Sequence, residues 1–396
     1  MTDAQDRERP EDRFVSTGPA RLAEIAGAAG IERVHLVAWR DLDDPEAGGS
    51  ELHAHEVAKR WAAAGITVTQ RTSGIAGQGR TVRRSGYVVE RRSGRYGVFP
   101  SVISGGLSSR SEPGSALVEI WNGMPFFSPL WFRGPRLTVL HHVHDEMWQM
   151  TLPGLLGRIG DSIERRVAPP FYRRERIVTL SNSSRDEIVE RLRLSRDRVT
   201  VVPPGISSRF EPGGTRSGAP LVVAVGRLVP VKRFDLLIKE LAQVRRRVPD
   251  LRAVIIGEGY ERPALESLRR SLDADSWLSL PGFVEDDELI SWYQQAWLVA
   301  SASLREGWGM TLTEAAACGT PSVVTNIAGH RDSVSQGFSG LLVDDVSSLS
   351  TGMVSVLTDE GLRSSLQLGA RSWSERFSWD ATAQAVLEQL AASARR

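Results

Sequence analysis

Short apolar runs alternate with amphipathic stretches along most of this chain. Val34-His-Leu-Val-Ala-Trp39 is the first such run; a loop through Gly48-Gly49-Ser50 follows, and apolar residues at helical spacing predict a helix from Glu51 to Ala64, stopped by Gly65. Further strands are predicted at Thr67–Gln70, Ala116–Ile120, Leu137–Leu140, Ile177–Leu180 and Val199–Val202. A second series runs through Leu221–Val225, Arg252–Ile256, Leu278–Leu280, Leu298–Ala300 and Ser322–Val324, with helices between. Strands alternating with helices build a doubly wound, mostly parallel sheet. Between the series lie Pro203-Pro204-Gly205 and a polar stretch from Glu211 to Pro220, rich in glycine and proline, which continue neither period. The expected organisation is α/β in two domains: a disordered polar tail at 1–18, a first domain at 19–203, a linker at 204–218 and a second domain at 219–376. An amphipathic helix at 377–396 closes the chain.

Composition fits that picture. A length of 396 residues is long for a single core and comfortable for two domains. Hydrophobic residues at 41% and charged residues at 24% are ordinary for a globular protein. The net charge of +1 supplies no global field toward nucleic acid, so no nucleic-acid partner is expected. Cys318 is the single cysteine, which excludes an intramolecular disulfide, and its alanine-rich surroundings predict a small buried side chain. The first ten residues lack the apolar core of a signal peptide, and no uninterrupted apolar span reaches membrane length; a cytoplasmic location is expected.

The most informative segment is Glu306-Gly307-Trp308-Gly309-Met310-Thr311-Leu-Thr-Glu314. It sets one carboxylate in a glycine-rich turn and a second at the start of a helix, where free backbone N–H groups suit an anion. Thr311 with Glu314 three residues later is a capping-box pattern, placing the helix start at Thr311. Upstream, the run ending at Gly226 meets Arg227-Leu-Val-Pro-Val-Lys232, and a helical pattern begins near Phe234. Two cations therefore occupy a strand-to-helix loop, at the sheet edge where open α/β folds bind ligands. The chain has three lysines against 46 arginines, so Lys232 is a rare choice. Its ammonium is a compact charge for a phosphate, while Arg227 can grip one with two parallel hydrogen bonds.

The Gly-Arg-Leu-x3-Lys loop, the two glutamates with seven residues between them, the Pro203-Pro-Gly-Ile206 turn with Phe210, and Ala47-Gly-Gly-Ser-Glu51 together resemble the retaining glycosyltransferases of family 4, over residues 33 to 385. The resemblance implies a GT-B fold, two Rossmann-like domains facing across a cleft, with the last helix crossing back to the first. It further implies a hexosyltransferase that retains anomeric configuration, using a nucleoside diphosphate sugar (UDP- or GDP-linked) and a hydroxyl acceptor left unidentified: glycan, lipid or small aglycone. Arg227, Lys232 and the N–H groups of Gly309, Met310 and Thr311 would stabilise the leaving diphosphate. Glu314 would hold the ribose and Glu306 the sugar hydroxyls; Gly307 and Trp308 complete that turn. Backbone near Gly282, Phe283 and Val284 would meet the base. Gly48 and Gly49 would approach the phosphate from the opposite wall, and His141, with His142 close behind, would reach the sugar.

Alternatives stand beside these assignments. Asp41-Leu-Asp43 resembles a metal-binding Asp-x-Asp motif, but Arg227, Lys232 and the helix N-terminus can neutralise a diphosphate, so neither metal nor other cofactor is expected. Arginines at 80, 83, 84, 91, 92 and 95, and a second group from Arg158 to Arg176, read either as basic contacts for an anionic acceptor or a peripheral membrane surface, or as a solvated rim over a packed helix carrying Leu155, Leu156, Ile159, Ile163 and Val167. Trp121, Met124, Phe126, Phe127, Trp131 and Trp148 read either as an acceptor platform or as core. Ala328-Gly-His-Arg-Asp332 departs from the family's Gly-Gly-x-x-Glu, leaving the contact mapped there open. A sugar-nucleotide epimerase and a non-catalytic sugar-nucleotide-binding protein are the rival functions.

Overall fold

Eight strands form the first sheet: β1 (Arg33–Val37), β2 (Thr67–Thr72), β3 (Thr81–Arg84), β4 (Tyr87–Arg91), β5 (Ser115–Trp121), β6 (Arg136–Leu140), β7 (Ile177–Thr179) and β8 (Val199–Val201). The structure is a computed structural model describing residues 18–108, 112–145, 148 and 154–394; the tail expected at 1–18 lies outside it except for Gly18, which opens a helix. The strand order is β3-β4-β2-β1-β5-β6-β7-β8, parallel throughout except for the β3–β4 pair. The second sheet holds β9 (Leu221–Val225), β10 (Arg252–Ile256), β11 (Leu278–Gly282), β12 (Leu298–Ser301), β13 (Ser322–Thr325) and β14 (Gly340–Val343), all parallel, ordered β11-β10-β9-β12-β13-β14. Each sheet reverses its winding once, at β1/β5 and at β9/β12, and such switch points open a crevice beyond the strands' carboxyl ends.

Burial follows position. Every residue of β5, at the centre of its sheet, is buried, while β11 at an edge alternates buried with exposed. The first core stacks Val34, Leu36, Val118, Val139 and Val178 against Trp61, and the final helix, Trp379–Ala394, adds Ala383, Val386, Leu387 and Leu390 to it. That helix belongs to the first domain although 160 residues of second domain precede it in the chain, roughly the length of one domain. The chain crosses between domains twice, side by side. Ile206 pairs with Ser378, Thr382 Oγ1 donates to the Pro203 carbonyl at 2.8 Å, and Gly205 packs against the Trp379 backbone with no room for a Cβ. The part of the expected linker after Glu211 rides on the second domain: Arg216 donates to the carbonyls of Ala296 and Gly319 and to Thr320 Oγ1.

Three expectations change. The first arginine-rich segment is the β3–β4 hairpin, turned by Ser85 at φ 45° and Gly86 at φ 89°. Much of its charge is paired locally: Arg91 bonds Asp41 at 2.9 Å and also Asp43, Arg84 reaches Asp43 at 2.6 Å, Arg92 pairs with Glu90 at 3.0 Å, and Arg95 pairs with Glu46. The Asp-x-Asp candidate is thus half of an ion-pair cluster. In the second segment, the rim over a packed helix is inverted: helix Leu155–Ser162 buries Gly157 and Gly160 and exposes Leu155, Leu156 and Ile159. Gly160 packs on the Trp148 ring, and only a glycine face permits that approach. Strand β14 was not expected, its Gly-Leu-Leu-Val being short and opened by glycine.

Candidate active site

Glycines end the three strands on one side of the second switch point. Val225 of β9 lies beside Ile256 of β10, which lies beside Gly282 of β11, so Gly226, Gly257 and Gly282 form a row of close backbone. Gly257, at φ 137°, sits on the Gly226 carbonyl, an approach no Cβ allows. The Gly257-Glu258-Gly259 turn was missed in the sequence; glycines flanking a carboxylate directly after a buried strand were the available signal. Glu258 is held by Arg262 at 2.8 Å. Beyond Gly282, Phe283 is exposed, Val284 joins the core beneath, and helix Asp286–Gln295 starts.

On the other side of the switch point, β12 leads through Ser303 to Glu306 and helix Met310–Ala317. The capping box expected at Thr311 is not formed. Gly309 is the N-cap, at φ 102°, because glycine reaches that left-handed conformation more easily than threonine can hold the turn. The helix therefore begins one residue early, and Glu314 is freed from a capping role. It points toward Tyr293, whose hydroxyl lies 3.5 Å from Oε2, and burial together with nearby Asp286 pushes its carboxyl up to about 7.

Lys232 and Glu306 meet directly, Nζ donating to Oε1, while Ser303 Oγ donates to the same carboxylate oxygen at 2.9 Å. Burial alone would raise the Glu306 carboxyl; the Lys232 ammonium, aided by the field of His330 and by both hydrogen bonds, brings it below the ordinary carboxylate range. Arg227 extends across the cleft, Nη1 lying 3.5 Å from the Glu46 carbonyl.

The opposing wall meets this constellation closely. A Cβ on Gly49 would lie 3.0 Å from Met310 Sδ, so the Gly48-Gly49 loop faces the head of the second-domain helix. Glu51 steadies that loop, accepting from Gly48 N and Ser50 Oγ at 2.8 Å each and pairing with Arg40. The helix here starts at Gly49, two residues before its predicted start. At the end of β6, the His141 carbonyl and the His142 ring both face Gly307, at 3.0 and 3.5 Å from its missing Cβ. The His141 ring itself turns inward, edge-on to His53 at 5.2 Å, and neither imidazole has a hydrogen-bond partner among the described residues. His142, and not His141, is the ring that faces Gly307. Burial holds both well below the usual histidine range, so both are neutral. Trp308 is buried, and its ring packs edge-on against Phe377 of the crossover at 5.1 Å.

Several contacts between the domains were not read from sequence. Asp332 accepts from Asn182 N at 2.9 Å and Ser183 N at 3.2 Å, capping a first-domain helix. This is where the departed family position goes: its shorter carboxylate is spent between the domains. Arg305 bonds Glu187 and lies 4.0 Å from Asp145, adjoining the histidine strand end. Within the second domain, Gly329, at φ 84°, comes against the Glu306 carbonyl. Among the described residues, no group of three potential metal-ligating side chains gathers, and no helix is long and apolar enough to cross a membrane.

Comparisons with known proteins agree with this geometry. Residues 207–373 match the model of glycosyl transferases group 1, and residues 47–210 match that of glycosyltransferase family 4. A D-inositol 3-phosphate glycosyltransferase of Salinispora arenicola is 36% identical over 242 residues, covering 54% of this chain and 54% of that protein. Its counterpart in Xylanimonas cellulosilytica is 32% identical over 251 residues, covering 56% and 60%. The chain thus spans about half the length of the curated relatives it matches. Among solved structures, sucrose-phosphate synthase from Thermosynechococcus elongatus superposes with a TM-score of 0.75 at 18% identity, covering 89% of this chain and 96% of that one. Anabaena HepE in complex with UDP gives 0.71 at 18% identity, covering 91% and 100%. At those identities the likeness is one of fold, the two-domain GT-B architecture. With its two halves matched in succession over residues 47–373, the chain belongs to glycosyltransferase family 4.

Proposed function

We propose that the chain transfers a hexosyl group from a nucleoside diphosphate sugar to a hydroxyl acceptor, with retention at the anomeric carbon. The observation that carries this reading is the convergence of Arg227, Lys232, Glu306 and the Gly309-capped helix at the β9/β12 switch point, against the Gly48-Gly49 loop. A diphosphate seated there meets two cations and the positive end of a helix, which stabilise negative charge as the leaving bond breaks. Lys232 is held in place by Glu306 before the donor arrives, and the donor's phosphate oxygens compete for the same ammonium. Glu306 then accepts from sugar hydroxyls, and Glu314 from the ribose. Backbone of the Gly282-Phe283-Val284 turn meets the base. The neutral His142 ring offers a nitrogen toward the sugar from the opposite wall. No enzyme nucleophile and no metal is invoked.

The HepE structure holds UDP, which supports a uridine donor as the first to test. The relatives' names make inositol phosphate the first polar acceptor to try. Incubation with UDP-, GDP- and ADP-sugars in the absence of acceptor tests the reading: slow release of nucleoside diphosphate is expected. Conversion to an epimeric sugar nucleotide, or binding without any release, would discard it.

A further inference from the structure

The first domain contains a cavity of about 430 Å3 whose described lining is almost wholly apolar. Trp39, Phe99, Ile103, Met124, Phe127 and Trp148 form its walls. Trp121, Phe126 and Trp131 are core instead, each indole N–H donating to a backbone carbonyl. The Trp148 N–H is likewise occupied, donating to the buried Glu164 at 2.8 Å, so its ring presents carbon to the cavity.

Two contacts join this cavity to the cleft. Asn122 at its edge donates to Ser50 Oγ at 3.0 Å, one residue beyond Gly49. His144 stacks on His142, centroids 4.8 Å apart and planes at 16°, and His142 faces Gly307. One layer of side chains therefore separates an apolar space from the head of the donor-side helix. A polyhydroxylated acceptor placed in that space would leave hydroxyls unpaired, which is costly, whereas an apolar group there leaves water favourably. Ile163 also lines the cavity, and the helix just before it exposes Leu155, Leu156 and Ile159.

We propose that the acceptor is an amphiphile whose apolar aglycone fills this cavity while its hydroxyl reaches past His142 toward Gly307. The proposal rests on the transferase reading above. The hydroxyl oxygen bonds to the anomeric carbon as that carbon's bond to the diphosphate breaks; the bonding pair leaves with the diphosphate, which also takes the hydroxyl proton.

Titration calorimetry of the full chain, saturated with UDP, against methyl, octyl and 2-naphthyl β-glucosides below micelle-forming concentrations tests this. At least one apolar glucoside should bind tighter than the methyl glucoside by about tenfold or more, a modest fraction of what a buried alkyl chain can contribute. The better of the two separates a hydrocarbon chain from a ring system. Met124→Glu should close the gap by charge and Met124→Trp by filling the space, with circular dichroism showing that each is folded. Equal affinity for all three glucosides, or a gap that survives both substitutions, overturns the proposal. Release of UDP from UDP-glucose by the unsubstituted chain, measured in parallel, separates the two readings. Release without a gap sinks the amphiphile alone; a gap without release sinks the transferase reading and, with it, the acceptor role.

Discussion

Across the cleft, the wall built on β9–β14 carries charge and backbone dipoles, whereas the wall built on β1–β8 carries neutral histidines and an aromatic cavity. On the first wall, Arg227, Lys232, Glu306 and the N-terminus of helix Met310–Ala317 converge within a few residues of two strand ends. On the second, the cavity draws its lining from several segments, as far apart as Trp39 and Ile163. A diphosphate demands cations and close backbone, and those demands are met by glycines and charges at fixed spacing. An apolar pocket demands only shape, which residues shared with any core can supply. Both walls use strand ends at a switch point, so the contrast lies in chemistry and not in topology.

The sharpest way to break this contrast is to remove the charge. Lys232→Ala should lower the rate of donor cleavage by about 100-fold or more, as losing one preorganised stabiliser of developing charge does elsewhere. UDP affinity, which draws also on base and ribose contacts, should fall much less. A rate equal to the original would remove the phosphate assignment.

Substitution at the crossover tests whether the two walls depend on one hinge. In Gly205→Ala the new methyl meets the Trp379 backbone, which has no flexible end to yield. A loss of roughly 1–3 kcal/mol in unfolding free energy is expected from denaturant titration. Unchanged stability would mean the crossover strands part freely. Glu306→Gln should alter which sugar nucleotides are cleaved, read from the same donor panel, and an unaltered profile would count against its contact with sugar hydroxyls.

A smaller effect concerns Glu314. Its carboxyl is raised from 4.5 to about 7 in the folded chain, so the folded state holds the proton more tightly than the unfolded state does. The stability this confers is complete below pH 4.5 and is lost as pH rises toward 7. Relative to Glu314→Gln, the unsubstituted chain should lose melting temperature over that window, and UDP affinity should improve over it as the carboxylate forms. Parallel melting curves for the two proteins would contradict the assignment. The smallest expected effect is none: adding EDTA should leave donor cleavage unchanged, and a rate restored only by divalent ions would require a metal on the charged wall.

Most strands were legible because buried parallel strands are continuous apolar runs; β9 and β10 match their predicted bounds residue for residue. The β3–β4 hairpin was not, since its arginines mask an alternating strand in which Arg84 and Arg91 pair with Asp41 and Asp43. In the charged site, Lys232 and Glu306 were identified from motif spacing, but their mutual ion pair was not, because nothing in the sequence between two residues 74 positions apart records that their loops converge. Trp308 and His141 also sit in motifs, and what the motifs did not record is that packing buries both rings, one against Phe377 and the other against His53. The exposed apolar face of helix Leu155–Ser162 ran against pattern, since its buried side is glycine.

By itself the sequence determined the alternation of elements, the two-domain division and the residue types that can hold a diphosphate, because these depend on local periodicity and short-range spacing. Tertiary structure alone decided which histidine ring faces Gly307, that Asp332 caps a helix of the other domain, and that scattered aromatic residues enclose one cavity. Those outcomes depend on side-chain direction and on contacts between segments far apart in the chain, which burial and shape complementarity select only once both sheets are packed.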